Sequence, residues 1–299
     1  ELLLSDELGQ VLEKLQDLEP IMLKGFVLAN FYYPYPHRRP MDDIDLVVPG
    51  DNVDAIRDRL LDNGFSVQNS VFGDMVLPQF ICTKSLDGRA ALDFDIHTRL
   101  FNRPGMHDLL TYQELSANAI ARQFQGIKVL TPSTAHCLIH AALHLMAHHA
   151  NSRKLIWLYD ILLLGSELDA RGETGLLLEY ARRMKISSVV LAAADACQEV
   201  FGLPKSELQQ QLRGQSRAEA SNQHPASILL QPANQAQTLL MDWKQIKGSN
   251  NRLIWLREHL FPPIQYMKNR YKVNSIPVIW FCYIWRIIRG SVKLVVRRN

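Results

Sequence analysis

Two short segments of the chain alternate acidic and apolar residues. They are DIDL, at residues 43–46, and LDFDIH, at residues 92–97. Because successive side chains of a β-strand point to opposite faces, each segment predicts a strand with one apolar and one acidic face. The residues that share the acidic faces are Asp43 and Asp45 on the first strand, and Asp93, Asp95 and His97 on the second. Asp42 is one residue out of phase and is expected to face away.

Carboxylates held side by side repel each other unless a cation or a shared proton relieves the repulsion. If the two strands are neighbours in a sheet, three or four carboxylates converge. An oxygen-rich site of this kind suits Mg²⁺, which also binds substrate phosphates. It is also the ligand set that two-metal phosphoryl transfer requires. The alternative is that the acids are solvent-facing residues of two edge strands.

The overall composition is that of an ordinary globular protein. Of the 299 residues, 47% are hydrophobic and 21% are charged, and the formal net charge is +3. A charge this small does not by itself indicate a nucleic-acid or membrane partner. The four cysteines are widely spaced and form no CxxC pair, which favours reduced thiols in a cytoplasmic protein. These cysteines are Cys82, Cys137, Cys197 and Cys282.

The pattern along the chain predicts an α+β fold. Up to about residue 130, amphipathic helices alternate with short strands, which predicts a small mixed β-sheet with flanking helices. From residue 131 the apolar spacing is helical, so an all-helical domain is expected to follow. The expected divisions are residues 1–130 (sheet domain), 131–215 (helical domain), 216–250 (loop or linker) and 251–299 (C-terminal helical segment with a basic tail).

Three motifs occur in order along the first hundred residues: LKG (23–25), RPMDDIDLVVP (39–49) and LDFDIHTRL (92–100). Together they resemble the nucleotidyltransferases of the DNA polymerase β superfamily. The greatest similarity is to a bacterial branch often described as uncharacterised nucleotidyltransferases. The resemblance covers residues 20–100 well and the helical part more loosely.

The resemblance implies a role for each matching position. Gly25 corresponds to the turn glycine, and Asp43 and Asp45 correspond to the paired metal ligands. Asp95 corresponds to the third carboxylate. Asp93 would either share this role or take it in place of Asp95. All three ligands are therefore implied to be catalytic.

Basic residues near the acids are the candidates for binding the triphosphate. The superfamily normally has a second small residue after the turn glycine, but here Phe26 follows Gly25. Lys24 is therefore the candidate phosphate contact, acting as a point charge. Arg38 and Arg39 either grip a phosphate through a bidentate guanidinium or pair with nearby acids, and the resemblance includes an arginine at position 39.

Several polar residues further along the chain have two interpretations. Lys154 or Arg153 is expected to reach the triphosphate from the helical side, and Asp160 is either a buried hydrogen-bonded partner or a cleft-facing base. His97 either orients a ligand, contacts the nucleotide or is hydrogen-bonded at a strand end. Four histidines at every fourth position indicate either a metal stripe or a surface that faces the sheet domain. They are His136, His140, His144 and His148.

The C-terminal segment combines aromatic and basic residues. Its apolar run is too short to span a bilayer, which requires about 20 apolar residues. One interpretation is an amphipathic helix that lies on an anionic membrane surface. The other is a helix packed against the core with a solvated basic edge. The basic stripe consists of Arg286, Arg289, Lys293 and Arg297.

The expected function is that of an enzyme, cytoplasmic or peripheral to a membrane. It would transfer an NMP from an NTP, foremost ATP, to a hydroxyl or phosphate of an acceptor. The expected cofactor is Mg²⁺, bound as two ions, and Mn²⁺ is the expected substitute. Pyrophosphate would be released. The lack of a strongly basic surface favours a small molecule, peptide or protein over long nucleic acid as the acceptor. Two alternatives are a catalytically impaired nucleotide-binding module and a membrane-peripheral partner protein that acts through residues 276–299.

Overall fold

A computed structural model describes residues 2–67, 73, 75–86, 88, 90–148, 154–230 and 235–296. The described strands are β1 (Ile21–Met22), β2 (Ile44–Val47), β3 (Ser66–Val67), β4 (Gln79–Leu86), β5 (Ala90–His97), β6 (Ile120–Phe124) and β7 (Ile127–Thr131). They form a seven-stranded sheet in the order β3-β4-β5-β2-β1-β7-β6. The pairs β2–β5 and β1–β7 are parallel and the other pairs are antiparallel. The sheet is therefore mixed, as predicted.

Helices flank the sheet and make up the described part of the chain after residue 131. They are α1 (Leu2–Leu15), α2 (Lys24–Phe31), α3 (Val53–Asp62), α4 (Tyr112–Ala117), α5 (Thr134–Leu143), α6 (Leu155–Arg171), α7 (Thr174–Arg183), α8 (Ser187–Phe201), α9 (Glu207–Ala218), α10 (Gln235–Gln245), α11 (Ser249–Leu260), α12 (Ile264–Tyr271) and α13 (Ile276–Val296). A π-helical turn, His144–His148, continues α5. The predicted α+β fold is confirmed. None of the described helices has the length and apolarity needed to cross a membrane.

Two apolar clusters cover opposite faces of the sheet. In one, Ile44 and Leu46 pack with residues of α1 and α3. In the other, Val47 belongs to the same cluster as residues of α5, α6 and α8. Because side chains alternate along β2, Asp45 lies on the face turned toward these later helices. The second cluster also joins residues on both sides of the expected boundary at residue 130, so the sheet and the helices share a continuous core.

The segment expected to be a loop or linker, residues 216–250, is largely helical. It contains the end of α9, a 3-10 turn at Pro225–Leu230, and α10. Helix α9 begins with a capping box between Ser206 and Gln209, which satisfies the free amides of its first turn. Trp243 of α10 packs against a small cluster that contains Trp255. Tertiary packing stabilises these helices although their sequences are polar and weakly patterned.

Candidate active site

The two acidic strands are neighbours in the sheet. Strands β2 and β5 are paired in parallel, with Asp45 opposite Asp95 and Val47 opposite His97. Directly paired residues of neighbouring strands lie on the same face, so the two carboxylates lie side by side. The convergence expected from the sequence is therefore present for Asp45 and Asp95.

Asp45, Asp95 and His97 form a buried cluster whose ligand atoms all lie within 4.8 Å of one another. His97 Nε2 lies 2.9 Å from Asp45 Oδ1 and 3.4 Å from Asp95 Oδ2. The exposed fractions are 4% for Asp45, 7% for Asp95 and 3% for His97. Gln79 of β4 donates a side-chain N–H to Asp95 Oδ2 over 2.9 Å. Within the described ranges, this is the group with the spacing and the donor atoms of a metal site.

The cluster also has buried polar atoms without a protein partner. Asp95 Oδ1 and His97 Nδ1 are buried and make no hydrogen bond to the described residues. A buried carboxylate oxygen without a partner is costly, and a bound cation removes that cost. Mg²⁺ and Mn²⁺ both favour carboxylate oxygens as ligands. The residues present therefore fit a divalent cation.

Asp43 lies at the edge of the cluster, one residue before β2 begins. It is an exposed residue that lines the same cleft as Asp45, and it is not one of the three residues in the buried cluster. Partial burial of its carboxyl group, together with the negative charge of Asp45, raises the pKa of Asp43. Asp42 was expected to face away, but it also lines the cleft. The regular alternation of the strand starts only at Ile44 and does not extend back to this residue.

Asp93, the alternative third carboxylate, is engaged elsewhere. Its Oδ1 accepts a hydrogen bond of 2.5 Å from the Thr83 hydroxyl, across the β4–β5 pair. It is not a member of the buried cluster, whereas Asp95 is. The geometry therefore favours Asp95.

The charges around Asp45 keep this carboxylate ionised. Although burial opposes ionisation, the hydrogen bond from His97 and the ammonium of Lys24 hold the pKa of Asp45 well below its ordinary value. Lys24 Nζ lies 2.5 Å from Asp45 Oδ1. Burial favours the neutral form of His97, but its hydrogen bonds to Asp45 and Asp95 raise the pKa of the imidazole.

Gly25 allows the start of α2 to approach the loop that leads into β2. A Cβ atom at this position would lie 3.0 Å from Cβ of Met41, which is closer than side chains normally pack. The preceding turn is held to β2 because Leu23 donates its backbone N–H to the carbonyl of Asp45 over 2.9 Å. Phe26, the next residue, is fully buried in the apolar cluster under α1. The turn thus brings Lys24 and the first turn of α2 to the acidic strands.

Arg39 is held by an acid that the sequence did not identify as its partner. Its Nε and Nη2 atoms each lie 2.9 Å from an oxygen of Asp160, and the Tyr33 hydroxyl donates to the same carboxylate over 2.8 Å. Both charged side chains are at least nine-tenths buried, at 10% and 4% exposure. Asp160 is therefore a buried hydrogen-bonded partner, the first of its two interpretations. Arg38 instead lies over the ring of Tyr35.

Residues of α5 and α6 form the opposite wall of the cleft. His140 and His144 line it together with Trp157, in agreement with the second interpretation of the histidines, a surface that faces the sheet. Lys154 also lines it, and its Nζ lies 4.4 Å from the centre of the Trp157 ring. His136 does not belong to this wall. Its ring is buried between Ser133 and Glu114 and makes hydrogen bonds to both.

Two positions on this side lie outside the described residues: Arg153 and the side chain of His148. The predicted residues that do line the cleft are Lys24, Gly25, Arg39, Asp43, Asp45 and Lys154. The cleft has a volume of about 530 Å³, within the range of small-molecule sites.

Sequence reasoning left the role of His97 open and missed Gln79. The signal for His97 was present, because it shares the alternation that places Asp95 on the acidic face. Gln79 carried no such signal, because the identity of the strand beside β5 and its register are tertiary features. The pairing of Arg39 with Asp160 could not be predicted from the sequence either, because the two positions lie far apart in the chain.

The match to a protein-family model supports this description. A family model described as uncharacterised nucleotidyltransferase matches residues 1–202. Among curated proteins, the comparison finds no match. Among solved structures, the chain is similar to an antigenic nucleotidyltransferase-like protein from Paracoccidioides brasiliensis, with 14% sequence identity and a TM-score of 0.43. That similarity covers 70% of this chain and 92% of the other.

The matched region contains the three motifs, the buried cluster and both walls of the cleft. The resemblance seen in the motifs is therefore confirmed for the larger part of the chain. The match supports nucleotidyltransferase activity in general terms. The chain belongs to the family of uncharacterised nucleotidyltransferases.

Proposed function

We propose that the protein is a Mg²⁺-dependent nucleotidyltransferase that transfers an NMP from an NTP to a hydroxyl or phosphate of an acceptor. The observation that carries this proposal is the buried Asp45–Asp95–His97 cluster beside a cleft of about 530 Å³. A cluster of this kind is a reason to expect phosphoryl chemistry in a chain of this family. ATP is the first nucleotide to test.

The residues that would hold the metal are Asp43, Asp45 and Asp95, for one or two Mg²⁺ ions or for Mn²⁺ in their place. A bound ion would neutralise phosphate charge and lower the pKa of an attacking hydroxyl. Asp45 is suited to this role because its low pKa keeps it ionised at neutral pH. Asp43 lies at the open edge of the cluster, where a phosphate can also approach.

His97 and Gln79 act as positioning residues. His97 contacts both carboxylates, and Gln79 fixes one oxygen of Asp95. These contacts hold the two acids in one arrangement before substrate arrives, which avoids reorganisation during the reaction.

The triphosphate would lie between Lys24 and the wall of α6. The Lys24 side chain is 25% exposed and lines the cleft, and Lys154 lines it from the other side. Backbone amides in the first turn of α2 add positive potential, because helix N-termini attract phosphates. Arg39 supports this arrangement through its pair with Asp160 and does not itself supply a free guanidinium.

In the proposed reaction, an oxygen of the acceptor attacks the α-phosphorus of the NTP. The new bond joins that oxygen to the α-phosphorus, the bond to the β-phosphate oxygen breaks, and pyrophosphate leaves. The proton of an attacking hydroxyl passes to a carboxylate of the buried cluster beside the cleft, for which Asp95 is the candidate. The acceptor is proposed to be a small molecule, a peptide or a protein.

A second candidate function is nucleotide binding without transfer. The observation that favours it is that Phe26, which is fully buried, follows Gly25 in place of a small or hydroxyl-bearing residue. Lys24 is in addition paired with Asp45. Such a module would bind the nucleotide in a metal-dependent way and release no pyrophosphate.

The test is pyrophosphate release from each of the four NTPs with Mg²⁺ or Mn²⁺ and a mixture of candidate acceptors. The variants are Asp45→Asn, within the cluster, and Asp93→Asn, a matched carboxylate of β5 outside it. The proposal predicts release by the wild type and by Asp93→Asn, and a loss of at least about 100-fold in Asp45→Asn. Metal-dependent nucleotide binding without release across acceptor classes would favour the binding module. Absence of both binding and release would refute both.

A further inference from the structure

The last helix, α13, presents apolar residues on two faces. A stripe formed by Ile279, Cys282 and Tyr283 is buried against α12 and its neighbours. The remaining face points to solvent and is also apolar, although most helices at a protein surface present polar residues there. Its exposed residues are Ile276, Val278, Trp280, Phe281, Ile284, Trp285 and Ile288.

This arrangement departs at Arg286 from the second interpretation of the sequence, a packed helix with a solvated basic edge. A helix packed on the core was expected to expose a basic edge, but Arg286 is turned inward. Its guanidinium donates to the carbonyl of His259 and lies over the ring of Tyr266. The outward face instead contains the aromatic residues, with Phe281 at 67% and Trp280 at 58% exposure. The side chains of Lys293 and Arg297 lie outside the described residues.

The apolar face continues onto the two preceding helices. Phe261 and Ile264 are both about half exposed, at 51% and 53%. They line a groove of about 350 Å³ together with Ile276 and Trp280. The exposed apolar surface therefore extends over α11, α12 and α13, and patches of this kind mark interaction sites.

The charge of the same region identifies the kind of partner. Residues 260–299 contain eight basic residues and no aspartate or glutamate. The eight are Lys268, Arg270, Lys272, Arg286, Arg289, Lys293, Arg297 and Arg298. Arg270, Lys272 and Arg289 are exposed in the structure. A partner that covers this region must accept apolar and aromatic side chains and also carry negative charge.

An anionic lipid surface has both properties. Tryptophan and phenylalanine insert at the boundary between headgroups and acyl chains, while nearby lysine and arginine interact with anionic headgroups. We propose that the outward face of α13, with the adjoining residues of α11 and α12, binds an anionic membrane surface. The binding is peripheral and independent of the proposed transfer reaction.

The test is co-sedimentation of the full chain with phosphatidylcholine vesicles that do or do not contain phosphatidylglycerol. The variants are Phe281→Ser/Ile284→Ser on the outward face and Arg289→Gln beside it. The matched control is Leu61→Ser/Leu176→Ser, which removes two exposed apolar residues from α3 and α7, at 42% and 41% exposure. Circular dichroism checks that each variant is folded.

The proposal predicts binding to the anionic vesicles alone, with release at high salt because screening weakens the headgroup contacts. Phe281→Ser/Ile284→Ser should weaken binding by more than about tenfold, and Arg289→Gln by about fivefold. The control should bind like the wild type. Nucleotide binding and pyrophosphate release without vesicles should be unchanged in all variants, so this proposal and the proposed function can fail separately.

Three results would overturn the proposal. The first is the absence of vesicle binding at any lipid charge. The second is binding that Phe281→Ser/Ile284→Ser leaves unchanged. The third is self-association of the free protein that this variant abolishes, without vesicle binding, because a second copy of the chain would then cover the face.

Discussion

Asp45 is the residue at which the contacts of the site meet. It accepts hydrogen bonds from His97 and Lys24, it is paired with Asp95 across the sheet, and its backbone carbonyl holds the turn before α2. The strand alternation predicted that Asp45 and Asp95 would share a face if their strands were neighbours. It did not predict that Lys24 would contact Asp45 directly.

This contact gives Lys24 two opposing effects. In the free protein its ammonium neutralises Asp45 and competes with a metal cation, whereas with substrate it is proposed to bind phosphate. For Lys24→Met we therefore expect tighter Mn²⁺ binding in the absence of nucleotide and about tenfold weaker NTP binding, since one charged contact is lost.

Calorimetric titration of Mn²⁺ and of a non-hydrolysable NTP into the wild type and Lys24→Met measures both effects. Lys14→Met, a lysine of α1 outside the cleft, is the control. If Lys24→Met bound both Mn²⁺ and the NTP more weakly, Lys24 would not exchange Asp45 for phosphate as proposed.

At the level of secondary structure, the elements that carry the motifs follow from local pattern. Strands β2 and β5 lie where the alternation of acidic and apolar residues predicted them. The hairpin β6–β7 was not predicted. Its turn has positive φ at both Gln125 and Gly126, a conformation for which the sequence offers only the single glycine as a signal. Helix α10, in the segment expected to be a loop or linker, was also missed, because its stability depends on packing against distant residues.

One contact between elements is expected to contribute strongly to stability. Arg39, in the loop before β2, forms a bidentate pair with Asp160 of α6. Because both side chains are largely buried, removing one of them leaves a buried charge without a partner. We expect Arg39→Ala and Asp160→Ala each to lower the free energy of unfolding by about 3 kcal/mol. The double variant should lose less than the sum.

Chemical denaturation of the two single variants and the double variant measures this cycle. Glu167→Gln is the control, because its pair with Arg171 is exposed and is expected to contribute about 0.5 kcal/mol or less. Additive losses from the two substitutions would show that the pair does not couple the loop to α6.

For the molecule as a whole, one apolar cluster joins residues of the sheet to residues of α5, α6, α7, α8 and α9. The α+β class and the order of sheet and helices were predictable from periodicity. The cleft was not, because it forms where the acidic face of the sheet meets the wall of α5 and α6. The motifs place Asp45 and Lys24 on one side, but the residues opposite them are set by packing.

The pH dependence of global stability has one clear local source. Burial, with the nearby Arg99 charge, lowers the pKa of His107 to about 4. The ring is neutral in the folded protein, and its Nδ1 accepts a hydrogen bond of 2.9 Å from Arg99. The unfolded chain binds the proton more readily, so stability is fully present above pH 6.5 and falls as the pH drops toward 4.

We expect this group to account for up to about 3 kcal/mol of the loss over that interval. Denaturation as a function of pH should show a flatter dependence for His107→Gln, whose amide oxygen can still accept from Arg99 but does not titrate. If the variant and the wild type gave identical curves, the loss of stability at low pH would come from other groups.

Asp45 and Asp95 are proposed to bind the divalent cation of a nucleotidyltransferase. Electron paramagnetic resonance of Mn²⁺ tests it most directly, because free Mn²⁺ can be counted without knowledge of the acceptor. We expect saturable binding to the wild type and to Asp93→Asn, strengthened by an NTP, and at least about tenfold weaker binding to Asp45→Asn and Asp95→Asn. Equal Mn²⁺ binding by the wild type and all three folded variants would show that Asp45 and Asp95 are not the cation ligands.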